Sequence, residues 1–172
     1  MPEAYPTLLA GQRMTAALLR SMQPQVARKT ADTSRNSTTT TTADLHLFFA
    51  VEANAVYVWD AWLKYFADPA ADITVDFTVP SGALGEWSGF AAGSATTTMQ
   101  TAGYSIRTDS NDVSQPRNFY GASDTDLTAI LHGTLRVQST SGTFSLDWSQ
   151  GTSSATNTTL YTDSWMRLQR IA

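Results

Sequence analysis

The chain has 172 residues, 42% of them hydrophobic, with 7 Phe, 6 Tyr and 5 Trp, enough to bury one sizeable core in a single main domain. The formal charge of −4, from 15 acidic and 11 basic residues with no basic run longer than Arg28-Lys29, gives no footprint for phosphates and argues against nucleic-acid binding. Cysteine is absent, which excludes disulfides, thiol catalysis and cysteine metal sites.

The N-terminus, "MPEAYPTLLAGQ", carries Glu3 and lacks a charged lead into a long apolar run, so no secretory signal is predicted. No stretch reaches the roughly 18 apolar residues of a membrane span, and no membrane insertion is expected. Residues 10–25, "AGQRMTAALLRSMQPQ", read as an amphipathic helix. Met14, Ala17, Leu18 and Met22 recur at steps of three and four, with Arg13, Arg20 and Gln23 elsewhere. Pro6 and Pro24 bracket it.

Residues 26–43 are polar and β-branched, with five consecutive threonines at 38–42. Branched Cβ atoms favour extended backbone, so this segment is expected to be an extended arm with an edge strand. The division is therefore 1–43, helix and arm for docking or trimerisation, and 44–172, the main domain.

From Leu45 the period is two. Leu45, Leu47, Phe49 and Val51 share one face, as do Tyr57, Trp59, Ala61, Leu63 and Tyr65. Ile73, Val75, Phe77 and Val79 follow, closed by a turn at Pro80-Ser81-Gly82. Further on, Leu127, Ala129, Leu131, Gly133, Leu135 and Val137 oppose Asp126, Thr128, His132, Thr134 and Arg136. "STSG" at 139–142 is a turn into a strand with Phe144, Leu146 and Trp148 inward, and "SWMRLQRI" is the last strand. About seven to nine strands separated by turn signals predict an all-β fold, an antiparallel, jelly-roll-like β-sandwich with a short N-terminal helix and extended arm.

Residues 85–125 are less regular, with short strands around Trp87 and Tyr104 and a polar loop from Asp109 to Asp124. A long insertion in a sandwich is a natural functional surface. Trp87, Tyr104, Phe119 and Tyr120 are its candidate ligand contacts, since aromatic platforms stack on sugars or fill interfaces. Trp62 also lies off the inward face, and for it and Trp87 the competing reading is core.

Catalytic signals are thin. His46 and His132 are the only imidazoles, both outward, and no G-x-S-x-G, H-E-x-x-H or phosphate-loop motif occurs. Carboxylate pairs such as Asp60 with Asp76, or Asp124 with Asp126, have no fixed separation. "DSND" at 109–112 lacks the glycine and distal glutamate of a calcium loop. Neither an enzyme nor a cofactor or metal is expected.

The stretch from Tyr5 to Tyr65, opening "YPTLLAGQRMTAALLRSMQPQ", the turn "TVPSGA", and the ending "GTFSLDWSQGTSSATNTTLYTDSWMRLQRIA" resemble small structural proteins encoded by tailed phages and prophages of actinobacteria. The likeness is strongest at the two ends of the chain. It implies a virion component of minor-tail, fibre-like or capsid-decoration type, assembled in the host cytoplasm, with other virion proteins as partners. A homotrimer suits such a role, with Met14, Ala17, Leu18 and Met22 as the docking stripe. The alternative is a receptor-recognition module for a host-surface glycan.

Overall fold

A computed structural model describes residues 5–6, 8–91 and 109–172. Among the described residues one helix, α1 (Ala16–Ser21), precedes twelve strands: β1 (Gln25–Arg28), β2 (Thr33–Arg35), β3 (Thr42–Val51), β4 (Val56–Phe66), β5 (Ile73–Thr78), β6 (Glu86–Ala91), β7 (Asn111–Asp112), β8 (Arg117–Phe119), β9 (Leu127–Arg136), β10 (Gly142–Ser149), β11 (Thr158–Leu160) and β12 (Trp165–Arg170). The protein is an all-β, antiparallel sandwich.

Two sheets carry it. The larger runs β1-β12-β4-β9-β6-β7, with β11 beside β4 and β2 beside β11; the smaller runs β3-β10-β5-β8. Set aside β2, β6, β7 and β11, and number the remaining eight strands in chain order. One sheet then reads first, eighth, third, sixth and the other second, seventh, fourth, fifth. That double Greek key is the jelly roll. β6 and β7 are an insertion that widens the larger sheet past β9.

The alternation in the sequence explains the core. Tyr57, Trp59, Ala61, Leu63 and Tyr65 of β4 all face inward and are buried, as are Ala129, Leu131 and Leu135 of β9. The smaller sheet answers with Ile73, Val75, Phe77, Phe144, Leu146 and Trp148. Burying each such large side chain contributes about 1.5–3 kcal/mol relative to leaving it in water. At the centre four rings from both sheets interlock, with Phe77 4.8 Å from Trp59, 5.1 Å from Trp87 and 5.4 Å from Phe144 between centroids. Gly133 makes room for this cluster: a Cβ there would stand 2.5 Å from the Glu86 carbonyl and 2.8 Å from the Trp59 ring.

Two expectations need correction. Leu45 is not inward but 80% exposed, because the β3–β10 register shifts between Ser145 and Asp147, and the buried position falls on Asp44. Residues 26–43 are extended and do supply an edge strand, β1, but the segment is bound into its own sandwich. β1 pairs with β12, β2 pairs with β11, and the Ser37 amide donates to the Ser154 carbonyl at 2.8 Å. The Arg35 guanidinium lies 4.0 Å over the Trp148 ring and donates to the Thr42 carbonyl at 2.9 Å. A boundary at 43/44 therefore falls within the sandwich.

A further tie is a fully buried ion pair. Lys29 Nζ stands 2.6 Å from Asp44 Oδ2, with both side chains at 0% exposure. Burial pushes the Asp44 carboxyl up. Hydrogen bonds from Lys29, the His46 amide and the Trp148 indole outweigh that and leave it below the ordinary carboxylate value.

Candidate functional site

The N-terminal helix is shorter than the periodicity suggests. Gly11 has a φ of +78°, and Thr15 is the N-cap, with an extended backbone and a hydroxyl that accepts from the Leu18 amide at 3.2 Å. Met22 is the C-cap, and by Gln25 the chain is already in β1. Residues 10–15 and 22–25, expected within the helix, lie outside its six residues, Met22 as its cap. Arg20 sits in the last turn, where its charge complements the helix dipole.

No residue of α1 is buried. Met14 is 52% exposed, Leu19 51% and Met22 41%, with Ala17 exposed and Leu18 half-buried. A helix of six residues has marginal stability alone in water, so it depends on what its apolar side chains meet. The segment before it meets the sandwich at Tyr5. The Arg170 guanidinium lies 3.9 Å over the Tyr5 ring and pairs with Glu52 at 2.6 Å. Around that contact a polar recess of about 90 Å³ is lined by Tyr5, Arg20, Glu52, Tyr57 and Arg170 among others.

Further large apolar side chains are exposed beyond the helix. β1 and β3, the edge strands of the two sheets, lie against each other, and their outward residues Val26, Leu45 and Phe48 are 65%, 80% and 52% exposed. Sequence periodicity missed these three. Their signal is a large apolar residue at an edge strand's outward phase.

The aromatic set is divided. Trp87 and Phe119 are core residues, 1% and 5% exposed, and cannot be ligand platforms. The Trp87 indole donates to the Asp112 carbonyl at 3.1 Å, and its ring lies near Phe119 and Phe77. Tyr120 is 66% exposed, and Tyr104 falls outside the described residues. In the 109–112 turn, Asp112 Oδ1 accepts from both the hydroxyl and the amide of Ser114, which holds its carboxyl below the usual range. Among the described residues no group of three or more His, Asp or Glu is placed to hold a metal ion.

The outer face of the larger sheet carries two further features. Trp165, Trp62, Ile130 and Phe90 form one cross-strand row on β12, β4, β9 and β6, so Trp62 is half-buried on the outer face. Next to it runs Arg167, Asp60, His132 and Ser88. Ser88 Oγ and His132 Nε2 are 2.9 Å apart, beside a shallow recess of about 260 Å³ that also includes Glu86 and Ser110. A hydrolytic triad would hold the imidazole's second nitrogen with a carboxylate. Asp60, the residue opposite His132, is instead engaged by Arg167, whose Nε donates to it at 2.8 Å. Sequence reading placed His132 outward and had no means of bringing Ser88 to it.

No protein-family model, curated protein or solved structure matches the chain.

Proposed function

We propose that the protein is a non-enzymatic structural component of a phage-type virion, a homotrimer whose N-terminal segment attaches to the particle while the jelly roll projects outward. The observation that carries this reading is the exposure of large apolar side chains along the N-terminal segment, Met14, Leu19 and Met22, and on the apolar margin of β1 and β3, Val26, Leu45 and Phe48. Large apolar side chains left exposed on a short terminal helix and on two edge strands are candidate contacts for a partner surface. Sister copies of the chain are the proposed first occupants, because a closed ring repeats one patch with no second gene product.

Two further points support it. The sequence resembles small virion proteins of actinobacterial tailed phages. Jelly rolls also recur in viral capsid and lectin domains, an analogy of fold that carries no site with it. Minor-tail, fibre-like and decoration roles all fit this arrangement. The test is to purify particles from a lysogen that encodes the chain and locate it with a label on the C-terminus. Labels at a constant position and copy number in multiples of three support the reading. Particles complete without the chain contradict it.

A second reading, a receptor-recognition module for host glycans, is favoured by the recess of Glu86, Ser88, Ser110 and His132, whose side chains offer both donors and acceptors at the surface. Glycan-array binding abolished by Ser88→Trp supports it, and an array without signal at high protein concentration rejects it.

A further inference from the structure

The Lys29–Asp44 pair is set up for more than a salt bridge. Both side chains are fully buried at 2.6 Å, and taking two charges out of water costs several kcal/mol per ion, so such a pair is weak as a stabilising device. Its surroundings are asymmetric. Oδ2 faces the Lys29 ammonium and also accepts from the buried Trp148 indole at 3.2 Å. Oδ1 accepts from the His46 amide at 2.9 Å, and His46 Nδ1 stands 3.6 Å from it. That Nδ1 is buried and has no hydrogen-bond partner among the described residues, although the imidazole as a whole is 27% exposed.

We propose that Lys29 and Asp44 condense into an intramolecular isopeptide bond that clips β1 to β3. One proton passes from Nζ to Oδ2 along their hydrogen bond, leaving a neutral amine beside a neutral carboxyl in a site closed to water. The amine attacks Cγ, and the negative charge gathers on Oδ1, which already accepts from the His46 amide at 2.9 Å and is stabilised there as in an oxyanion hole. The Cγ–Oδ2 bond breaks. Oδ2 leaves as water with two protons that began on Nζ, and an amide N–H remains. No oxidant or co-reactant takes part. Proximity supplies the driving geometry: two groups held at hydrogen-bond distance by separate strands react as if at very high concentration.

The bond would join residues fifteen apart in sequence. It would also fasten β1, and through it the exposed helix, to the smaller sheet. For a part under mechanical load this matters, because β1 is an edge strand held on one side by β12.

Intact mass spectrometry of the purified full chain, denatured before measurement, tests this directly. The expected mass is one water below that of the sequence. A tryptic digest should yield a branched peptide joining the Lys29 and Asp44 segments, with no cleavage after Lys29. Asp44→Asn should change the deficit from one water to one ammonia, since the same attack expels the amide nitrogen. A wild-type chain that keeps its full sequence mass after prolonged incubation overturns the proposal. So does a water deficit that maps to other residues.

Discussion

Phe77→Ala removes the ring at the centre of the core. Phe77 is 5% exposed and meets Trp59, Trp87 and Phe144 at 4.8–5.4 Å, with Trp87 edge-on and Phe144 stacked. These neighbours cannot collapse into the void, because Trp87 is held by its bond to the Asp112 carbonyl and Trp59 lies against Gly133. The loss therefore belongs in the middle of the Phe→Ala range or above, at about 4 kcal/mol. For a chain of this length each kcal/mol moves the melting temperature by about 2–4 °C, which gives a fall of about 8–16 °C. Urea denaturation followed by tryptophan fluorescence should show a lower midpoint with an unchanged slope. His132→Ala, on the exposed face, is the control and should fall within about 0.5 kcal/mol of wild type. Equal losses in the two variants would refute the strand phases and the packing built on them.

Other perturbations follow the same reasoning. Gly89→Val places a Cβ 2.5 Å from the Phe119 ring and 2.6 Å from a Leu131 methyl, so overpacking should cost about 1–3 kcal/mol, read by thermal melting. Lys29→Met strands Asp44 in the interior and should cost about 3–5 kcal/mol in denaturant titration, far more than the exposed Arg28→Met. Asp32 accepts from both the Thr162 amide and hydroxyl, which holds its carboxyl below the ordinary value. A folded-state pKa below the unfolded one gives stability that is present above about pH 4 and lost as pH falls through the folded value. Asp32→Asn should therefore flatten the acid limb of a stability–pH profile by lowering its neutral plateau towards the acid value, leaving the acid end in place.

What the sequence disclosed depended on how much side chain stood at the inward positions. β4 and β9 were legible because apolar residues recur at every second position over ten residues or more. β6 was not. Its inward residues are Trp87, Gly89 and Ala91, two of them nearly without a side chain, while Phe90 points outward, so Trp87 looked like an exposed aromatic. Phe119 was hidden in a strand of three residues, too short to show a period. Lys29 reads as a solvated charge in any local window, and only the fold brings Asp44 to it. The helix stripe was legible, yet capping by Thr15 and the entry into β1 cut the helix to its middle turns. The candidate surface was thus half visible: Met14 and Met22 came from periodicity, whereas Val26, Leu45 and Phe48 emerge only where two sheet edges meet.

The account turns on whether the exposed apolar side chains of the N-terminal segment and the β1–β3 margin form an interface between copies. Light scattering coupled to size-exclusion chromatography, run on the full chain and on a Met14→Ser, Leu18→Ser, Met22→Ser variant, measures this most directly. The full chain should have three times the 18.6 kDa monomer mass. The variant should run as a monomer with the same β-rich circular dichroism and melting temperature. A full chain that is monomeric at micromolar concentration, or a variant that remains trimeric, would contradict the account.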